Sequence, residues 1–229
     1  MFTGPNIVEE GLVLVLDAAN TKSYPGSGTT WTDLSGNGYN GTLTNATFNS
    51  SNRGTISFDG TNDYVLLTDG SRWFTNQWAY EFAVKFNGNS GTYQGILWGE
   101  GVTGGGSGYQ KLFTLYNYSY FHYRIYNSTT SWTNTNYTPS GFTPTSYNHL
   151  VWQFNNGTTN IFINGSLVHT DTSRGAYSGG TDSPLYIGCR NDLAYDLNGQ
   201  IGFMKRYNRI LTASEVLQNY NATKSRFGL

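Results

Sequence analysis

Cleaving a glycosidic bond by the double-displacement route requires two carboxylates about 5–5.5 Å apart in one groove. On a strand, that means acids two or four residues apart. The chain has five glutamates, Glu9, Glu10, Glu81, Glu100 and Glu215, and none has another acid at either spacing on a strand. Asp59 and Asp63 are four apart but straddle a turn. His122, His149 and His169 fall on separate strands or strand ends, so a metal or nucleophilic centre would need them to converge. Neither a Gly-x-Ser-x-Gly elbow nor a His-Glu-x-x-His helix occurs. Gly101 to Gly108 is glycine-rich like a phosphate cradle but lacks the Gly-Lys-Ser/Thr ending. Cys189 stands alone, so it forms no intrachain disulfide and reads as a small buried hydrophobe. These residues predict a chain without catalytic function.

Binding chemistry is better represented. Aromatic residues make up 16% of the chain and crowd the stretch from Tyr109 to Tyr137. If Tyr120 to Tyr126 alternates as a strand, Tyr120, His122, Arg124 and Tyr126 share one face, opposite Phe121, Tyr123 and Ile125. Such a face, with Trp132 nearby, can stack on a sugar ring and hydrogen-bond its hydroxyls. Tyrosine is also a good strand former and a favoured subunit-interface residue, so a structural use stays open beside glycan contact. The glycan candidates are therefore Tyr120, His122, Arg124, Tyr126 and Trp132.

Composition narrows the partners. Net charge is -1 and charged residues are 12% of the total, with no Lys/Arg run to neutralise phosphates. Nucleic acid is thereby excluded as a partner. The longest apolar run, Leu12 to Leu16, is far below the roughly 20 residues a membrane helix needs. Met1 to Asn6 lacks the basic and apolar blocks of a secretory signal.

Many short strands without a βαβ rhythm predict an all-β, two-sheet antiparallel sandwich. Gly11–Leu16 opens it, and a long excursion follows from Asp17 to Asn52. Within that excursion, Asp33-Leu34-Ser35-Gly36-Asn37-Gly38 reads as a loop pinned by a carboxylate. Thr55–Asp59 and Tyr64–Leu67 flank a tight Asp59-Gly60-Thr61-Asn62 turn. Trp78 to Phe86 alternates cleanly and predicts a half-buried strand. Thr212-Ala213-Ser214-Glu215 has the spacing of a capping box and predicts a helix of about three turns. The organisation expected is an arm over residues 1–10, one domain over 11–223 and a tail over 224–229.

The order of these motifs resembles concanavalin A-like, laminin-G-like jelly-roll domains from about Gly11 to Thr223. It rests on Trp31 to Gly38, Ile56 to Val65, Tyr147 to Trp152, Ile161 to Gly165, Asn198 to Ile201 and the final helix. The resemblance implies a jelly roll with one short C-terminal helix, on which both binders and enzymes occur. It also implies an oxygen-liganded calcium ion near Phe58-Asp59-Gly60, with Asp59 and Asp63 as ligands. The acidic pair expected after Ile201 is replaced by Gly202 and Phe203, which leaves Asp59 and Asp63 open to a role as turn residues.

The segment Tyr207 to Lys224 looks like laminin-G-like domains of bacteriophage structural proteins, especially from aquatic phages. That likeness implies a virion accessory protein, assembled in a bacterial cytoplasm and decorating a capsid, tail or fibre. Its partners would be other virion proteins, further copies of itself and a host-surface glycan. The alternative it leaves open is a cement protein that binds no sugar, with polysaccharide cleavage as a third and remoter reading.

Overall fold

The computed structural model describes residues 6–68, 73–88, 93–102, 109–125, 134–173 and 181–229. Among them are sixteen strands. The first eight are β1 (Leu12–Asp17), β2 (Thr30–Trp31), β3 (Gly41–Thr44), β4 (Thr47–Asn49), β5 (Thr55–Asp59), β6 (Tyr64–Leu67), β7 (Gln77–Phe86) and β8 (Tyr93–Val102). The rest are β9 (Tyr109–Tyr116), β10 (Tyr120–Ile125), β11 (Asn134–Tyr137), β12 (Asn148–Asn155), β13 (Thr158–Ile163), β14 (Ser166–Asp171), β15 (Thr181–Ile187) and β16 (Asn198–Tyr207). One helix, α1 (Ala213–Phe227), closes the chain.

The strands form two antiparallel sheets. The back sheet runs β14-β13-β12-β7-β16-β5-β4, with β1 also paired to β16, and the front sheet runs β11-β10-β9-β8-β15-β6-β3-β2. Their inner faces meet in one aromatic core. Trp78, Tyr80, Phe82 and Phe86 of β7 point inward beside Trp152, whose ring lies 5.1 Å from Phe113 of the front sheet. Trp78 and Trp152 meet edge-on at 4.6 Å. Burying each such side chain stabilises the fold by roughly 1.5–3 kcal/mol, so the seam between the sheets dominates stability.

Four expectations change. The β7 strand is buried on both sides rather than half-buried, because Ala79, Glu81 and Ala83 lie beneath α1 and the segment around Val8. The Asp59–Asn62 turn joins no hairpin: β5 belongs to the back sheet and β6 to the front, so the chain crosses between layers there. The excursion from Asp17 to Asn52 contains β2, β3 and β4, strands of two to four residues that carry too little alternation to read. Finally, the helix runs through the residues expected as a tail, because Phe227 is buried and Arg226 is tied down by Asp17 and the carbonyls of Asn52, Gly54 and Gly202.

Two local devices hold as expected. The Asp33 carboxylate accepts from the amides of Val15, Ser35 and Tyr39 at 2.9, 2.9 and 3.1 Å, which pins its loop against β1. At the helix start, Glu215 N donates to Thr212 Oγ1 while Thr212 N donates to Glu215 Oε2, completing the capping box.

Candidate functional site

Register decides what the front sheet shows to solvent. Along β10, Phe121, Tyr123 and Ile125 point into the core, so Tyr120, His122 and Arg124 point outward. Opposite them on β9 stand Tyr116, Thr114 and Leu112, and opposite these on β8 stand Tyr93, Gly95 and Trp98. The outward rings form a continuous cluster. Tyr93 lies 4.6 Å from Tyr116, 5.2 Å from His122 and 4.6 Å from Tyr195, and Tyr116 stacks on Tyr120 at 4.6 Å. Tyr93, Tyr116, Tyr120, Arg124 and Tyr195 are all partly exposed, while His122 is buried beneath them with Nδ1 donating to Asn136 Oδ1 at 2.8 Å.

The segment from Cys189 to Leu197 supplies the other wall. Tyr195 O accepts from the amide of Gly95 at 2.6 Å, and a side chain at Gly95 would stand 3.0 Å from that oxygen, so glycine lets the loop lie flat on β8. Leu193 and Tyr195 both adopt left-handed backbone, with φ of 56° and 62°. Each such residue costs on the order of 1–3 kcal/mol, a strain the fold retains where the loop meets the aromatic cluster. Arg190 donates from Nε to Asp192 Oδ1 at 2.6 Å and from Nη2 to Asp192 Oδ2, and its guanidinium lies 4.4 Å over the Tyr195 ring. Cys189 is fully buried, and burial, with Asp196 and Asp192 adding to it, pushes its thiol up to about 12, which favours the protonated thiol of a small buried side chain.

Electrostatics mark the same patch. Burial pulls the Arg124 guanidinium below its usual value; the phenols of Tyr195 and Tyr93 oppose that and Arg190 adds to it. Burial raises the Tyr93 hydroxyl, with Tyr195 and Tyr116 adding to the shift. Two guanidiniums and several phenol groups thus sit within interaction range on one surface. This combination can hydrogen-bond polyhydroxylated ligands and attract negative charge.

The outer side of the back sheet is built oppositely. Glu81, fully buried, accepts from Lys205 Nζ at 2.8 Å and His149 Nε2 at 3.0 Å through Oε1, and from Asn219 Nδ2 at 2.7 Å through Oε2. Burial alone would raise this carboxyl, but Lys205 and His149 outweigh it and hold it at about 2. Asn219 of α1 also accepts from Val8 N at 2.8 Å, and Tyr207 Oη donates to Val8 O at 3.1 Å. The cluster fastens the helix and the N-terminal segment to the sheet, and its members are buried beyond a ligand's reach. A recess of about 490 Å³ lined by Asp17, Arg53 and Arg226 among others is spanned by the Arg226–Asp17 ion pair.

Asp59 and Asp63 lie together but face one another through the backbone. Asp63 Oδ2 accepts from Asp59 N at 2.7 Å and Asp59 Oδ1 accepts from Thr61 N at 2.8 Å, so both carboxylates serve the turn. Burial raises the Asp63 carboxyl, and Asp59 and Asp196 raise it further. Among the described residues no group of three or more His, Cys, Asp or Glu side chains could hold a metal ion, so a calcium ion there would have to take further ligands from oxygens other than these side chains. His169 sits elsewhere, at the rim between sheets, where its Nε2 and Asp171 Oδ2 flank the Tyr123 hydroxyl at 2.8 and 3.0 Å.

Of the residues singled out in the sequence, Tyr120, His122 and Arg124 come together on the front face; Tyr126 and Trp132 lie outside the described residues. The sequence did not single out Tyr93, Tyr116, Tyr195 and Arg190 as partners of that face. The Tyr93 and Tyr116 positions follow from strand alternation once the pairing of β8, β9 and β10 is known. Those of Tyr195 and Arg190 depend on a loop with unusual backbone that alternation cannot anticipate.

Residues 59–217 match a laminin G family model of the concanavalin A-like lectin/glucanases superfamily. No curated protein matches the sequence. Among solved structures, a Trypanosoma rangeli sialidase superimposes with a TM-score of 0.70 at 15% identity, over 94% of this chain and 33% of that one. The binding domain of Paraclostridial Mosquitocidal Protein 1 gives 0.67 at 15% identity over 93% of this chain and 52% of that one. The Botulinum Neurotoxin Type G Receptor Binding Domain gives 0.64 at 15% identity, over 92% and 51%. The chain spans only about a third of the sialidase and half of the toxin domains, and at this identity the likeness concerns the fold alone. The expectation of a chain without catalytic function is nonetheless corrected: enzymes stand among its structural neighbours, including a sialidase mutant displaying trans-sialidase activity, so this architecture gives no ground for excluding one.

Proposed function

The chain belongs to the concanavalin A-like lectin/glucanase superfamily, and from that premise we propose that it is a saccharide-recognition module whose binding surface is the outward side of the front sheet. The observation that carries this reading is the cluster of Tyr93, Tyr116, Tyr120, Tyr195 and Arg124, partly exposed on the sheet face that α1 does not cover. Tyrosine supplies apolar ring area with a polar rim, which suits a ligand that is apolar on its ring faces and hydroxylated at its edge. The module works as a virion accessory component on capsid, tail or fibre, a setting supported by the likeness of Tyr207 to Lys224 to phage structural proteins. Many copies on one particle raise weak single-site affinity by about 100 to 10,000-fold for linked sites.

A glycan array probed with purified protein tests the reading. Binding that disappears in Tyr120→Ala and Tyr195→Ala, with melting temperature within a few degrees of the parent, supports it; a blank array refutes it. A second reading takes its support from ring packing: Tyr93 is flanked by Tyr116, His122 and Tyr195, so much of its surface is already satisfied within the cluster. On that reading the face cements a neighbouring virion protein, and cross-linking from position 120 in assembled particles would reach protein instead of glycan.

A further inference from the structure

Three of the outward tyrosines stand in register across the front sheet. Tyr120 of β10 pairs directly with Tyr116 of β9, and Tyr116 pairs directly with Tyr93 of β8, so their phenols form a line that runs across the strands. Successive ring centres are 4.6 Å apart, close to the spacing that neighbouring strands impose. Tyr195 joins at Tyr93, again at 4.6 Å. The orientation of the rings matters as much as their spacing. Tyr116 and Tyr120 are stacked within 20° of parallel, and because both leave the same side of adjacent strands, this stacking stands the two rings upright on the sheet. Tyr93 meets Tyr116 from the next strand at 63°, so the middle ring has a neighbour on each side. A sugar stacks on a tyrosine only where a ring face lies open, and in this row the faces are turned towards one another. What the row offers a ligand is its outer rim, where each phenol ends in a hydroxyl that can donate and accept. The hydroxyls lie within range of each other: burial raises that of Tyr120, and Tyr93 and Tyr116 raise it further, so it keeps its proton and its capacity to donate.

Resting on the saccharide reading above, we infer that the front face takes a linear glycan in extended form, laid across β10, β9 and β8 and held by its hydroxyl edge on the row of phenol hydroxyls. The step of the row is close to the length of one pyranose, so successive sugar residues meet successive tyrosines. A site built by repetition reads a repeating ligand, and at least three consecutive residues are needed to fill it. The mutual packing of the rings then has a purpose in recognition, since it fixes the direction in which each hydroxyl points before the glycan arrives.

An array of cellulose, mannan, chitin and amylose oligomers from one to six residues long, with titration calorimetry on those that bind, tests this. Affinity should rise about 10-fold or more from the single sugar to the trimer as further hydrogen bonds form, and level off beyond the tetramer. Tyr93→Phe, Tyr116→Phe and Tyr120→Phe keep the stacked rings and remove only the hydroxyl; each should weaken trimer binding about 5-fold, the worth of one net hydrogen bond. If all three variants bind the trimer as the parent does while Tyr120→Ala does not bind, the sugar stacks on ring faces, which overturns the inference and leaves the saccharide reading standing. A single sugar that binds as tightly as its trimer has the same outcome. No binding of any oligomer overturns both. Near-UV circular dichroism checks that the rings remain packed in each variant, and Tyr120→Phe, at the end of the row, carries the test if Tyr116→Phe fails to fold.

Discussion

The two outer faces of the sandwich carry similar polar and aromatic side chains and put them to opposite use. On the back face, Glu81, Lys205, His149, Tyr207 and Asn219 are sealed under α1, and their side chains hydrogen-bond one another and the backbone of Val8. On the front face, Tyr93, Tyr116, Tyr120, Tyr195 and Arg124 stay partly exposed. A polar group in the first setting is there to hold the fold, since desolvation makes every missing partner costly. In the second setting the same kind of group keeps hydrogen-bonding capacity in contact with solvent. Cover, more than residue type, separates structure from recognition here.

That contrast can be broken by mutation, beginning with the largest expected effect. Glu81→Gln should lower stability by about 3–5 kcal/mol in urea denaturation, because it leaves the Lys205 charge buried without its partner. Replacing the pair together, Glu81→Met with Lys205→Met, should recover most of that loss; if it does not, the cluster is more than an ion pair holding two layers together. The same carboxyl sets a pH dependence. It binds its proton less readily when folded, at about 2 against 4.5, so its contribution is complete above about pH 4.5 and drains away as pH falls towards 2. A flat stability profile across that window would contradict the sealed state of Glu81.

Asn219→Ala should cost about 1–3 kcal/mol, since it strips a donor from Glu81 and an acceptor from Val8 N, and amide exchange at Val8 should accelerate. Thr212→Ala removes the helix cap and should cost about 1 kcal/mol, read as a fall in Tm of a few degrees. The smallest effect should come from the front. Tyr120→Ala is expected to change stability by less than about 1 kcal/mol while removing saccharide binding. A loss comparable to that of Asn219→Ala would mean that the front cluster is a second core and the contrast drawn here is false.

Much of the architecture was legible in the residues, and the reason is local. Strand alternation from Trp78 to Phe86 and from Tyr120 to Ile125, the Thr212 to Glu215 box and the Asp33 loop are each written within ten residues of sequence. What could not be read depends on distant pairing. Glu81 looks like an ordinary solvent-facing acid in its alternation, yet β16 brings Lys205 directly opposite it across 124 residues. The resemblance implied Asp59 and Asp63 as calcium ligands, and only the folded turn shows that one oxygen of each carboxylate accepts from a turn amide. Likewise, Tyr195 joins the front face through a left-handed backbone position that favours glycine or asparagine, so its identity as tyrosine gave no turn signal.

The anchoring of Val8 to Asn219 and Tyr207 has a directional consequence. Residues 6–10 and the terminal helix are moored on one side of the sandwich, and the tyrosine cluster looks out from the other. Any tether attached through either end would therefore orient the molecule by default, back towards its support and aromatic surface away from it.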